Sequence, residues 1–274
     1  MNLQALAKRS AARLAEGGIP DAPFEAELLA RIATGTTRAQ YYAGTEVSAA
    51  DADRLVSLVD RRLHHEPTAY ITGTREFCGL EFEVTPAVLI PRPESELLVE
   101  LGLAELARHP SSVVVDVGTG SGCVAVSVVA SAPPEATVVA TDVSPAALGV
   151  ARRNAARHGV RVNFVRGHLS GAVSRTDIVL ANLPYIPSRV VDTLDPEVRD
   201  WEPRSALDGG SDGLGLIRPL IADCAQRLRP GLLALEVQYD QATAVAAIAT
   251  HSGASVDIVK DYAGIERVVC ARWR

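Results

Sequence analysis

From Ser111 onward the chain repeats one pattern: a short apolar run, a segment with helical spacing, then another apolar run. The runs are "SSVVVDVG" (111–118), "ATVVATD" (136–142), "RVNFVRG" (161–167), "TDIVLAN" (176–182) and "LLALEVQ" (232–238). An unbroken apolar strand is buried on both faces, as central strands of a parallel sheet are. Alternation with helices therefore predicts a doubly wound α/β sheet. Between the second and third runs, "SPAALGVARRNAARHG" reads as a helix with Ser144 as N-cap, Pro145 in its first turn and Gly159 at its end. A helix is also expected over 120–131 and another over about 214–228. The last two apolar segments, "ASVDIVKD" and "ERVVCARW", lie close together and predict an antiparallel pair.

The first part of the chain reads differently. Leu3, Leu6, Ala7, Ala11 and Leu14 recur at helical spacing until Gly17-Gly18. A second helix is expected over 20–32, and Ser48 with Asp51 resembles a capping box opening a third. After Pro67 the pattern turns to alternation with glycines at 73 and 79, which suggests a hairpin. The expected organisation is a helical domain over 1–72, a β-hairpin linker over 73–90 and a catalytic domain over 91–274.

Bulk properties narrow the chemistry. At 274 residues and 47% hydrophobic content, the chain has ample core. No apolar run is long enough to span a membrane, and the charged N-terminus lacks a signal-peptide core. The four cysteines are scattered and form no C-x-x-C pair, so neither a zinc site nor a redox dithiol is suggested. Free thiols fit a reducing compartment, and a cytoplasmic location is expected. The net charge of −6 argues against nucleic acid as the main partner.

Two stretches carry chemistry. "DVGTGSG" (116–122) follows the first strand, where glycines let the backbone approach a ligand closely. Its spacing is G-x-G-x-G, with Cys123 where the dinucleotide fingerprint needs a third glycine. Asp142, about twenty residues past the loop, stands where a ribose-hydroxyl acceptor belongs. No arginine clamp for a pyrophosphate is evident, so S-adenosylmethionine fits better than NAD.

The second is "LANLPYIPSR" (179–188). Asn182 ends the fourth strand of the sheet, which a doubly wound order puts beside the first. Pro184 biases Leu183 toward an extended backbone and so directs its carbonyl. The Asn182 side-chain oxygen and the Leu183 carbonyl make two acceptors suited to a planar –NH₂ group, with the Tyr185 ring expected to stack on it. Such a nitrogen is a poor nucleophile. Positioning it against a sulfonium methyl can supply ~7–11 kcal/mol, and acceptors that tighten as it becomes positive stabilise the transition state. No strong general base, metal or nucleophilic triad is required.

At these residues the chain resembles a known family. "NLPYIP" is similar to the Asn-Pro-Pro-Tyr motif of amino-group methyltransferases. "REFCGLEFEVTPAVLIPRPESELLVE" (75–100) and "LDPEVRDWEPRSALDGGSDGL" (194–214) closely resemble the release-factor glutamine methyltransferases, the PrmC/HemK family. The resemblance covers nearly the whole chain. It implies a Rossmann-like class I methyltransferase sheet with an N-terminal helical bundle and a β-hairpin linker. It implies an S-adenosylmethionine-dependent N-methyltransferase acting on the Gly-Gly-Gln glutamine of class 1 peptide-chain release factors, with no direct nucleic-acid or membrane partner. It assigns Gly118, Thr119, Gly120, Ser121 and Gly122 to the cofactor, Asp142 to its ribose, and Asn182 to the cofactor's edge as well. Asn182, Leu183, Pro184 and Tyr185 go to the glutamine amide, and Arg92, Pro93 and Glu96 to the neighbourhood of the substrate.

Three places depart from the family pattern. Leu183 replaces a proline, His168-Leu169 replaces an acidic-aromatic pair at the cofactor, and Glu236-Val237-Gln238 replaces Glu-x-Gly. Leu169 is carried as the cofactor-contacting position of its pair. The departures motivate an alternative in which the same chemistry serves another amide or amine. A nucleic-acid amine methyltransferase and a non-catalytic binding protein are further readings. The acidic charge weighs against the former, and the intact glycine loop, Asp142 and Asn182 against the latter.

Overall fold

A computed structural model describes residues 2–273. It divides into two compact units, Met1–Thr74 with Asp195–Trp201, and Arg75–Leu194 with Glu202–Arg274.

The first unit is helical, with helices Leu3–Glu16, Ala22–Thr34 and Ala49–Leu63 and two five-residue helices, Arg38–Tyr42 and Thr68–Thr72. Side chains close their ends: Asn2 accepts from the Ala5 amide, and Thr37/Gln40 and Ser48/Asp51 each form a reciprocal capping box. Leu3, Ala7, Leu14, Ala26, Leu29, Leu55 and Val59 form the shared core. The second helix starts at Ala22 rather than at Pro20, because Asp21 sits in a left-handed conformation that a helix cannot contain.

The sequence alone places 195–201 with the catalytic domain. The structure packs Asp195–Trp201 into the helical unit instead. Arg62 explains this. It is only 3% exposed, and its guanidinium lies 2.8 Å from Glu197 and 3.6 Å from Glu25. A buried guanidinium needs carboxylate partners, and the excursion delivers one of them. The Trp201 indole N–H adds a bond to the His64 carbonyl at 3.3 Å.

The second unit holds the hairpin β1 (Thr74–Phe77) and β2 (Leu80–Glu83), followed by a seven-stranded sheet. The sheet strands are β3 (Val113–Val117), β4 (Thr137–Asp142), β5 (Asn163–Arg166), β6 (Ile178–Ala181), β7 (Leu232–Glu236), β8 (Ser255–Lys260) and β9 (Glu266–Arg272). Their order is β5-β4-β3-β6-β7-β9-β8. The first five are parallel, while β9 runs antiparallel to both β7 and β8. Alternate residues point to opposite faces. Val115, Val117, Val179, Ala181, Leu233 and Leu235 pack with helices Ile217–Asp223 and Ala242–His251. Val114, Ile178, Leu180, Leu232 and Ala234 pack with helices Glu96–Arg108 and Cys123–Ser131. Both faces are covered, which is why these strands read as unbroken apolar runs.

Helix Pro145–Arg157 is capped by Ser144 as expected, with Gly159 at φ +65° just past its end. The first crossover helix begins at Cys123, not at 120, because Gly118, Gly120 and Gly122 hold φ of +76°, +55° and +81°. Helix Ala242–His251 was given no element by the sequence pattern.

Replacing Arg62 by alanine leaves Glu25, which keeps its Thr68 hydroxyl bond, and Glu197 without their cation beside a void. We expect a stability loss of about 2 kcal/mol in urea unfolding, below the full buried-pair range because Glu197 is partly exposed. A variant with an unchanged urea midpoint would show that this ion pair does not hold the excursion.

Candidate active site

Strand β3 sits in the middle of the parallel order, with β4 on one side and β6 on the other. The chain winds outward in both directions from the β3/β6 boundary, and a crevice opens there beyond the strands' carboxyl ends. A cleft occupies it, lined from Ala87 to Leu216.

Its floor is the glycine loop. Asp116, buried at the end of β3, accepts from the Thr119 hydroxyl at 2.6 Å and the Ala125 amide at 3.2 Å, curling the loop onto the helix start. Burial pushes its carboxyl up to about 6 in spite of those bonds. The Gly118 and Thr119 amides both donate to the Thr141 carbonyl at 2.9 Å. A side chain at Gly122 would meet Ala151 at 2.9 Å, so this glycine allows close helix packing. Asn154, fully buried on helix Pro145–Arg157, braces the loop from behind. Its Nδ2 donates to the carbonyls of Ser121 (2.8 Å) and Glu83 (3.0 Å), and its Oδ1 accepts from the Glu83 amide (2.7 Å). Sequence reasoning missed Asn154. The available signal was a polar residue on the otherwise apolar face of a helix.

Asp142 ends β4. One carboxylate oxygen accepts from the Gly120 amide at 3.0 Å, the other from the Ser144 amide at 2.8 Å. Each oxygen keeps a lone pair, and the residue lines the cleft. His168 and Leu169 line it as well, with Leu169 at φ +49° and its carbonyl accepting from the Thr141 hydroxyl at 3.1 Å.

The far wall starts at Asn182, directly after β6. Asn182, Leu183 and Pro184 line the cleft. The Leu183 side chain is buried in the core, 3.2 Å from where a Gly118 Cβ would stand. The chain then turns away. Ile186 pairs with Asp208, its amide donating to the Leu207 carbonyl and its own carbonyl accepting from the Gly209 amide. This contact demands the glycines of "ALDGGSDGL". A Cβ on Gly209 would lie 2.6 Å from the Pro184 carbonyl, and one on Gly213 would lie 2.1 Å from the Tyr185 carbonyl.

Some expected residues are elsewhere. Tyr185 is not among the cleft-lining residues. Its hydroxyl points to the Glu236 carboxylate at 3.4 Å, and burial raises its pKa above the usual phenol range. Gly122 serves packing rather than the cleft wall. Of the Arg92, Pro93 and Glu96 group only Arg92 lines the cleft, held by the buried Glu202 at 2.5 Å. Pro93 opens the short helical turn Pro93–Ser95, and Glu96 accepts from the Cys78 amide at 2.7 Å, securing the hairpin.

Two residues enter that sequence reasoning did not assign to the site. Ser95 lines the cleft, where the Asn182 Nδ2 donates to its hydroxyl at 2.9 Å. The Ser95 hydroxyl lies 2.6 Å from the Glu236 carboxylate. Burial is the main cause that brings Glu236 up to about 7. The Cys123 thiol at the cleft edge is pushed up to about 12 by burial, which leaves it protonated and inert as a nucleophile. No cluster of metal-ligating side chains occurs among the described residues.

Residues 5–73 match the PrmC N-terminal domain family, and residues 94–194 match the methyltransferase small domain family. A release factor glutamine methyltransferase of Geobacter sulfurreducens is 42% identical, over 94% of this chain and 92% of its own. One from Moorella thermoacetica is also 42% identical, over 99% and 98%. Among solved structures, the hMettl16 catalytic domain superposes with a TM-score of 0.56 at 15% identity, covering 81% of each chain. A methyltransferase from Pyrococcus furiosus does so with 0.52 at 21% identity, covering 71% of this chain and 88% of its own. These structures share the Rossmann-like methyltransferase fold. Relatives of such identity span almost its whole length, and the chain belongs to the release factor glutamine methyltransferase family.

Proposed function

We propose that this protein transfers a methyl group from S-adenosylmethionine to the side-chain amide nitrogen of a glutamine in a peptide-chain release factor. The observation that carries the reading is the convergence of the glycine loop, Asp142 and Asn182–Pro184 on one cleft, in a chain of this family. The finer target is the Gly-Gly-Gln glutamine of class 1 release factors.

The residues present fit the cofactor. Asp142 is a carboxylate with one free lone pair on each oxygen, which suits a vicinal diol. Gly118 and Gly120 offer bare backbone beside it, and Leu169 supplies an apolar contact for a base. When bound, the cofactor supplies an electrophilic sulfonium methyl. Every other contribution comes from the chain. The Asn182 side chain and the Leu183 carbonyl accept the two hydrogens of the amide –NH₂, which holds the nitrogen lone pair free. These acceptors strengthen as positive charge develops on nitrogen. Arg92, fixed by Glu202, stands at the cleft where a substrate backbone carbonyl would pass. Leu183 keeps the acceptor carbonyl although it lacks a proline ring, because the buried side chain anchors the backbone instead.

Incubation with a class 1 release factor and labelled cofactor should add one methyl to the Gly-Gly-Gln glutamine, read by peptide mass analysis. A protein that binds the cofactor yet leaves this glutamine unmodified would overturn the assignment of substrate. Asn182→Ala should reduce turnover by about 10²–10³-fold, the range for removing one transition-state hydrogen-bonding group, with cofactor affinity within about threefold. Asp142→Ala should weaken cofactor binding in calorimetry by about 10–100-fold, through loss of charge-assisted bonds. Unchanged binding would remove Asp142 from the ribose site.

A further inference from the structure

We propose that Ser95 and Glu236 form a polar relay that decides which end of the Asn182 carboxamide faces the substrate. They are positioning residues for the transfer, and this inference rests on the amide-methylation reading above.

Ser95 is 3% exposed and Glu236 1% exposed, so water does not compete for their bonds. The Ser95 Oγ lies 2.6 Å from Glu236 Oε2 and 2.9 Å from Asn182 Nδ2. An ionised carboxylate has no proton to give, so the single Ser95 hydroxyl proton goes to Glu236. The Ser95 oxygen is then only an acceptor toward Asn182. It selects the –NH₂ end of the carboxamide, and the Asn182 oxygen is left for the cleft. That oxygen is the group an incoming amide –NH₂ needs. Tyr185 adds a second donor to Glu236 at 3.4 Å, which reinforces the carboxylate as the relay's terminus.

Protonation of Glu236 reverses the chain of donors. The acid donates to Ser95, the freed Ser95 proton seeks the Asn182 oxygen, and the carboxamide turns over. The cleft then presents –NH₂ donors to an –NH₂ substrate, and the amide is rejected. The ionisable groups facing Glu236 are Glu94 from the turn before helix Glu96–Arg108, Arg267 from β9 and Tyr185 from the loop after β6. Glu94 favours the protonated form, while Arg267 and the Ser95 and Tyr185 bonds favour the carboxylate. With burial added, the transition falls at about 7.

This value also has a consequence for stability. Because Glu236 is raised above its ordinary range, its contribution to stability is fully present at acid pH and is lost as pH rises through about 7. Asp116 follows the same direction through about 6. The ionised state required for turnover is therefore the less stable one.

The test uses the full chain with S-adenosylmethionine and a release factor over about pH 5.5 to 9. Wild-type kcat should fall about tenfold per unit below pH ~7, with cofactor affinity flat. Ser95→Ala should lower kcat by at least about tenfold without weakening cofactor binding, and Ser95→Thr should recover it to within about threefold. Glu236→Gln should lower kcat, abolish the acid limb and remove the fall of melting temperature through pH ~7, leaving the part that Asp116 contributes at lower pH. Wild-type kcat in Ser95→Ala, or an acid limb that persists in Glu236→Gln, would overturn the relay. The Asn182 side-chain NH₂ resonances provide a readout independent of turnover. They should shift with a midpoint near pH ~7 in the wild type and lose that titration in Ser95→Ala. A wild-type protein that fails to methylate the glutamine would sink the substrate reading alone, while these resonances would still decide the relay.

Discussion

The register between β3 and β6 is the constraint on which the site depends. Val117 pairs with Ala181, so both strands end at the same height. Gly118 and Asn182 consequently leave the sheet side by side. Parallel strands at a switch point force their following loops apart, one toward each face, and the opening between them is the cleft. A slip of one residue would exchange the faces of Leu180 and Ala181 and part Asn182 from the glycine loop. The dense apolar packing on both faces of β6 prevents that slip.

Around this fixed point the chain invests in rigidity. Asp116 curls the glycine loop and Asn154 braces it from behind, joining it to the hairpin. The loop after Asn182 is held by the backbone of 207–213, where two glycines permit contact that any side chain would block. Gln241 adds a bond to the Tyr185 carbonyl at 2.9 Å. A weakly nucleophilic amide needs this kind of preorganised acceptor geometry more than it needs a strong base. The excursion Asp195–Trp201 lies inside the same long loop and is a member of the helical unit through Arg62.

Much was legible along the chain. Strand positions followed from apolar runs, and helix starts at Ser48 and Ser144 followed from capping chemistry. The glycine loop, Asp142 and Asn182 followed from their places at strand ends. Where reading failed, the reasons are physical. The helix after the glycine loop started late, since left-handed glycines cannot enter it. Helix Ala242–His251 is alanine-rich and weakly patterned, so periodicity did not reveal it. Tyr185 was expected to stack on the substrate, yet its hydroxyl is drawn to a buried carboxylate. Arg92, Pro93 and Glu96 were grouped by the family motif they resemble, but only Arg92 lines the cleft, while Pro93 opens a short helical turn and Glu96 accepts from the Cys78 amide.

The sequence by itself determined the sheet class, the helix caps and the two strand-end motifs, because these depend on local spacing and backbone preference. Only the tertiary structure decided that Ser95 lies between Asn182 and Glu236, residues 87 and 141 positions away from it. The same holds for the ionisation of Glu236. A glutamate on an exposed strand end would stay an ordinary carboxylate. Enclosed by the turn at Glu94–Ser95, the Tyr185 loop and β9, it loses its water and moves to about 7. Burial is a property of the assembled core, and no stretch of residues carries it alone.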